Sequence, residues 1–278
     1  MITYPTVVPI VPGAEVIEKA SYKFPLPEQA HAGLVFDRYL AIWEGNRGLG
    51  GRTSKLLQSL TAFTDRYNDR KKNHPVAALL HAYNRRMDRV ALARGIAKQL
   101  FTVSWRMVLG MGNSHPIENG FTFDPLIGVP FVSGSAIKGM CRRMALLEEI
   151  GDDLVEELFG PEEIIPEISS PGRGDLLFFD AYPNSWPTLR VDIINCHHSR
   201  YYANQITEPV ERENPIPVFF LVVDQGSDFM FRFGSVSRSK DNITRVAQLL
   251  EKGLDLLGIG GKSSSGYGYQ TPRGPLSL

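Results

Sequence analysis

Between Pro27 and about Leu100, apolar residues recur three and four positions apart, as in Val76, Leu79, Leu80, Tyr83, Met87 and Val90. That spacing lays one apolar stripe along a helix. It predicts three helices, over 28–44, 53–71 and 75–98, with the glycine-rich "EGNRGLGGR" in the first gap and "NHP" in the second. The period then shortens to two. In "FTVSWRMVLG" (101–110), Phe101, Val103, Trp105, Met107 and Leu109 fall on one side, which predicts a half-buried strand.

Beyond a glycine-rich loop, "GSAIKGMCRRMALLEEI" predicts a helix with Ile137, Met140, Cys141 and Met144 inward and Ser133 or Ser135 as its cap. "DLLFFDAYP" and "RVDIINCHH" are strand candidates, followed by a polar stretch from Ser199 to Asn214. "IPVFFLVVD" and "DFMFRFGS" predict a hairpin turning at Gln225-Gly226-Ser227. A helix over about Asp241 to Leu257 turns Ile243, Val246, Ala247, Leu250 and Leu254 inward, and "YGYQT" is a last short strand. The order strand, helix, strands, helix, strand suits an α+β fold, an antiparallel sheet with two helices on one face, as in the split βαβ or ferredoxin-like unit. The natural division is an N-terminal arm and helical segment over 1–100, then a ferredoxin-like domain over 101–278.

The composition is balanced, with 30 basic and 30 acidic residues, but the charges are segregated. From Arg66 to Arg106 there are ten Lys/Arg against Asp69 and Asp88, a net of +8; from Glu148 to Asp180 there are eleven Asp/Glu against Arg173, a net of −10. This fits a basic face for a polyanion and an acidic face for a protein neighbour or solvent; a plainer reading is that helix surfaces are simply charged. Cys141 and Cys196 form no C-x-x-C pair, which points to a reducing, cytoplasmic setting. The opening "MITYPTVVPIVPG" has no charged n-region and is interrupted by Pro5, Pro9 and Pro12, so an extended arm is expected and no membrane segment.

"GIGGKSSSGYGYQ" (258–270) combines glycines, a lysine and three serines. A phosphate loop of the G-x-x-x-x-G-K-[ST] type needs glycine at position 256, where Leu256 stands, and must precede a helix; here the loop follows one. The dinucleotide pattern G-x-G-x-x-G fails at Ser263. Nucleotide binding is disfavoured and no cofactor is expected. The same chemistry suits a polynucleotide, with glycines admitting a sugar-phosphate chain, Lys262 as a point charge, and Tyr267 or Tyr269 as stacking faces. Taken alone, the loop reads first as a flexible turn before a C-terminal strand.

A second glycine-rich segment changes the balance. In "GMGNSHPIENGFTFDPLIGVPFVSGSAIKGMCRR" (110–143) a loop leads into a helix whose first turns carry Ser135, Lys138 and Arg142, with the helix start offering unpaired N–H groups to an anion. "GVPFVSGSAIKGMCR" resembles the "GxPyIPGSSLKGxlR" segment of the RAMP superfamily, the RRM-like subunits of CRISPR ribonucleoprotein effectors, and "GIGGKSSSGYG" is similar to that family's C-terminal loop "GIGxKTxxGYG". Ser133, Ala136, Gly261 and Ser263 depart from the residues usual there. The resemblance, nearest to the type III-B (Cmr) branch, implies a cytoplasmic, non-catalytic backbone subunit for antiviral defence. Its partners would be guide RNA, target RNA and other Cmr backbone subunits.

The resemblance carries RNA binding to Gly134, Ser135, Lys138 and Gly139 in the first motif, and to Gly258, Gly260, Lys262, Ser263, Gly266, Tyr267 and Gly268 in the second. Helix geometry adds Arg142 and Arg143. It also implies a thumb-like insertion near Ser199 to Asn214, with "RYYANQ" supplying aromatics.

Some relatives cleave RNA, so an endoribonuclease is the alternative reading. Asp124 lies where the cleaving backbone subunit of such complexes carries an aspartate, and His115 is near it in sequence; as plainer readings, each precedes a proline and caps a turn. Cys196, His197 and His198 are adjacent and cannot easily converge on one metal ion, so no metal site is expected. Trp43, Trp105 and Trp186 are read as core or interface residues.

Overall fold

The computed structural model describes residues 31–39, 53–68, 74–161, 172–196, 207–208 and 216–277. The expected thumb, apart from Thr207 and Glu208, and Trp43, His197, His198 and the side chain of Cys196 lie outside the described residues. A short helical turn (Ala32–Leu34, then Val35–Tyr39) precedes α1 (Thr53–Thr64) and α2 (Pro75–Arg94). Pro75 opens α2, where its missing N–H costs nothing, and Gly95 ends it at φ 64°. The helix therefore stops short of residue 98. The strand that follows begins earlier than its apolar alternation suggested.

That strand is β1 (Ala97–Val103), and after it come α3 (Gly134–Leu147), α4 (Asp152–Phe159), β2 (Leu176–Phe178), β3 (Tyr182–Pro183), β4 (Leu189–Cys196), β5 (Ile216–Val223), β6 (Asp228–Ser235), α5 (Lys240–Leu256) and β7 (Gln270–Pro272). Ser133 caps α3 through the Ala136 N–H and Ser239 caps α5 through the Asn242 N–H, both at 3.2 Å. The main sheet has the order β2-β6-β1-β7, every neighbour antiparallel, with β3 also pairing β6. The architecture is thus mixed, helices around an antiparallel sheet.

The expected hairpin between β5 and β6 does not form. A turn does occur there, with Gly226 at φ 78°, but β5 pairs along its whole length with β4 while β6 pairs with β1 and β2. The chain crosses from a two-stranded ribbon into the main sheet, and the Gly226 N–H donates to the Val103 carbonyl at 2.8 Å. Both strands are apolar, so the sequence carried no sign that they part.

One sheet face is apolar: Ala97, Phe101, Val103, Phe229, Phe231 and Phe233 are buried on it. They join a single cluster with Ile137, Met140 and Met144 of α3 and Val246, Leu250 and Leu254 of α5, and also with Phe36, Leu57 and Leu80 from before residue 100. The opposite face is polar, and an RRM would use it to stack bases. Here α2 crosses it over Arg232, which is 2% exposed. The Arg232 guanidinium donates to the Asp88 carboxylate at 2.9 Å and to the Asn84 side chain at 3.3 Å, while Lys98 pairs with the other Asp88 oxygen at 3.1 Å. Burial pushes the Asp88 carboxyl up, but the hydrogen bonds from Arg232 and Lys98 outweigh it and hold the group below the usual carboxylate range.

A buried guanidinium whose only carboxylate is removed is costly. Asp88→Ala is expected to lower the denaturation free energy by roughly 2–3 kcal/mol, and adding Arg232→Met should recover much of it, since an apolar side chain needs no partner. Urea midpoints of the three proteins check this.

Candidate nucleic-acid interface

Strand direction decides where the two glycine segments lie. With all neighbours antiparallel, β1 and β2 run toward the end of the sheet from which β6 and β7 set out. Helix α3 starts beside β2, where the Gly134 N–H donates to Asp180, just past that strand, at 2.7 Å. The loop 258–269 runs straight into β7. Its Gly268 N–H donates to the Arg106 carbonyl at 2.7 Å and its Gly261 N–H to the Val108 carbonyl at 2.8 Å. Three strand spacings separate β2 from β7, and the register sets their ends apart along the strands as well: Phe178 is level with Phe233 and Ala97, and Gln270 is level with Val103.

In the first segment Ser135, Lys138, Gly139 and Arg143 are exposed. Lys138 and Arg143 have no ion-pair partner among the described residues. A Cβ placed on Gly139 would meet nothing within 4 Å, so this glycine leaves an open step on the helix surface. Two expectations need correction. The helix start is not a free anion site, since the Asp180 carboxylate takes the Gly134 N–H and Ser133 takes that of Ala136. Gly134 itself is buried; a Cβ there would lie 2.7 Å from the Phe178 carbonyl oxygen. Arg142 is half-buried and donates to the Gly160 carbonyl at 2.8 Å, closing the end of α4.

The second segment divides in the same way. Gly258, Gly260 and Gly268 all have positive φ, and a Cβ on each would fall 2.9, 2.3 and 1.9 Å from the carbonyl oxygens of Tyr267, Val108 and Ile259. These glycines admit protein backbone, which is where sequence reasoning had placed the nucleic acid. Tyr267 is likewise committed: its hydroxyl donates to Asp192 at 2.8 Å, and burial, then that hydrogen bond, pushes it up to about 12. Solvent meets Lys262 and Ser263, both half-exposed, and Gly266, which is exposed. Lys262 holds φ 59° with its Nζ 6.0 Å from the Phe220 ring centroid, a left-handed conformation that costs a non-glycine residue roughly 1 kcal/mol.

Sequence reasoning missed the residues that anchor this loop. Asp192 of β4 accepts from both Tyr267 and Arg106, the latter at 2.7 Å, and Asp224 lies 3.9 Å from Arg106 and 3.2 Å from Arg190. Their partners are distant in sequence, so no local pattern announces them. The exposed Arg85, Arg86, Arg89 and Arg94 of α2 and the exposed Asp152, Asp153, Glu156 and Glu157 of α4 carry the segregated charge outward.

The candidate catalytic pair is structural in its geometry. One oxygen of Asp124 accepts the N–H groups of Leu126 and Ile127, both at 2.8 Å, and the other accepts the Tyr182 hydroxyl at 2.6 Å. Burial, with that hydrogen bond, raises the Tyr182 pKa far above its ordinary value. His115 stacks on Phe36 at 4.2 Å, accepts the Ile117 N–H at Nδ1 and lies 3.1 Å from the Phe36 carbonyl at Nε2. Burial lowers its pKa below the usual histidine value. No cluster of metal-ligating side chains occurs among the described residues. Trp186, 3% exposed, is a core residue as expected, packed edge-on against Tyr67 at 4.4 Å. Trp105 is not; it is 47% exposed.

The two kinds of glycine should separate on mutation. Gly268→Ala is expected to destabilise the chain by several kcal/mol, because its Cβ would overlap the Ile259 carbonyl, whereas Gly266→Ala meets open space and should cost only roughly 1 kcal/mol of left-handed strain. Thermal melting of both variants measures the difference.

The RAMP superfamily profile matches residues 99–269, more than half of the chain. The Cmr subunit Cmr6 of the CRISPR system of Pyrococcus furiosus is 28% identical over 224 residues, covering 60% of this chain and 65% of that protein. The corresponding subunit of Saccharolobus solfataricus is 26% identical over 171 residues, covering 60% of this chain and 54% of that protein. The chain therefore spans less than two thirds of the length of these curated relatives. A chain in the cryo-EM structure of the type III-B Cmr-beta complex bound to cognate target RNA shares the fold, with TM-score 0.59 and 21% identity over 85% of this chain and 78% of that one. With helices around an antiparallel sheet and a profile match that spans both glycine segments, this chain belongs to the RAMP superfamily.

Proposed function

We propose that this chain is a non-catalytic RNA-binding backbone subunit of a type III-B CRISPR (Cmr) ribonucleoprotein effector, most like its sixth subunit. It grips guide RNA, works on target RNA beside other Cmr backbone subunits, and packs at one end of the subunit filament in antiviral defence. The observation that carries this reading is that each of the two glycine segments presents a lysine and a serine to solvent, Ser135 and Lys138 in the first and Lys262 and Ser263 in the second, with Gly260 and Gly268 packing the second loop against the backbone of Val108 and Ile259. The names of the two curated relatives and the shared fold of the Cmr-beta chain support the assembly. The strand order, with α3 and α5 as the two helical crossings, favours a ferredoxin-like sheet carrying the β4–β5 ribbon as the stem of a thumb.

RNA would lie along the rim, since α2 crosses the polar face an RRM leaves open. The grip comes from side-chain charges and hydroxyls. Asp180 already occupies the N-terminus of α3 and would repel a phosphate there. Such a grip reads no sequence. The three hydrogen bonds that Asp124 accepts, from the Leu126 and Ile127 N–H groups and the Tyr182 hydroxyl, argue for a structural role and against cleavage.

Each lysine is expected to contribute one phosphate contact. Lys138→Ala with Lys262→Gly should flatten the plot of log Kd against log salt for single-stranded RNA by roughly 0.7 per lost contact. Replacing the left-handed Lys262 by glycine should leave stability unchanged or raised, which separates binding from folding. An unchanged slope refutes the grip. In the assembled effector, Asp124→Ala is expected to lower the melting temperature of the chain and leave any cutting of target RNA at its wild-type rate; loss of cutting with assembly and RNA binding intact would make Asp124 catalytic.

A further inference from the structure

Trp105 breaks the rule its neighbours obey. Phe101, Val103, Met107 and Leu109 are buried, but a bend at Ser104-Trp105 turns the indole outward and leaves 47% of it exposed. A large aromatic with that much free surface forfeits much of the burial its size offers. It is also held still. The Arg106 guanidinium lies 4.9 Å from the ring centroid, and Arg106 is itself fixed by Asp192 at 2.7 Å and Asp224 at 3.9 Å. The backbone on either side is pinned to the glycine loop, Ser104 N–H to the Tyr269 carbonyl at 2.9 Å and Gly268 N–H to the Arg106 carbonyl at 2.7 Å. The indole therefore stands beside the loop that carries Lys262.

We propose that Trp105 is a stacking platform for an unpaired nucleobase at the rim, with Arg106 as the positioning residue that backs the ring. This rests on the RNA-binding reading and adds to it the one contact made to a base. The charges nearby suit a base better than a phosphate, since Asp192 and Asp224 are matched by Arg106 and Arg190 and no free cation results. A pre-positioned ring loses little entropy on stacking, and such stacking tolerates any base.

The test uses the full chain with single-stranded oligouridylate, and with an abasic strand of the same length. Trp105→Ala is expected to weaken binding to the uridylate roughly five- to one-hundred-fold with the salt slope unchanged, and to leave binding to the abasic strand as in wild type. Trp105→Phe should keep part of the affinity. It should also lose the fluorescence quenching that RNA produces in the wild type, although Trp43 and Trp186 remain. If Trp105→Ala binds both strands as wild type while the lysine variants flatten the salt slope, the platform is wrong and the RNA grip stands. If neither set changes binding, both fall.

Discussion

The site depends on one stretch of backbone, residues 97–109, which is hydrogen-bonded to partners along its length. Its first half is β1, between β6 and β7. Its second half leaves the sheet and pairs in turn with Tyr269, Gly268, Val223 and Gly261. Satisfying these groups brings three distant pieces of chain together: the sheet, the β4–β5 ribbon and the glycine loop. The glycines are the price of that meeting, because only residues without a Cβ let Gly260 and Gly268 approach the carbonyls they face.

The loop that looks built for a phosphate is therefore built first for itself. Much of its backbone is committed to contacts with Val108, Ile259 and Arg106, and the side chains of the outer turn face solvent. The same division holds at α3, where Asp180 and Ser133 take the first N–H groups and the open surface belongs to Ser135, Lys138 and Gly139. A glycine motif thus reports folding at some positions and exposure at others. Only the structure sorts them.

Much of the architecture was legible because periodicity is local. Both crossing helices and the inward stripe Ile137, Met140, Cys141 and Met144 follow from spacing alone, and of the two cap candidates, Ser133 and Ser135, the structure uses Ser133. The misses arose where distant parts of the chain decide. Gly95 signals the end of α2, yet the apolar period ran on past it; the bend at Trp105 has no local mark; and the parting of β5 from β6 depends on which strands wait beside each. Asp180, Asp192 and Arg106 escaped for the same reason, since each acts on a partner more than forty residues away.

Asp192 sits on the ribbon but grasps the loop through Tyr267 and the strand extension through Arg106. A force that tilted the ribbon would have to drag the loop with it or break two hydrogen bonds to a carboxylate. The β4–β5 ribbon and the lysine turn are thereby geared together, and anything that docks on one sets the angle of the other.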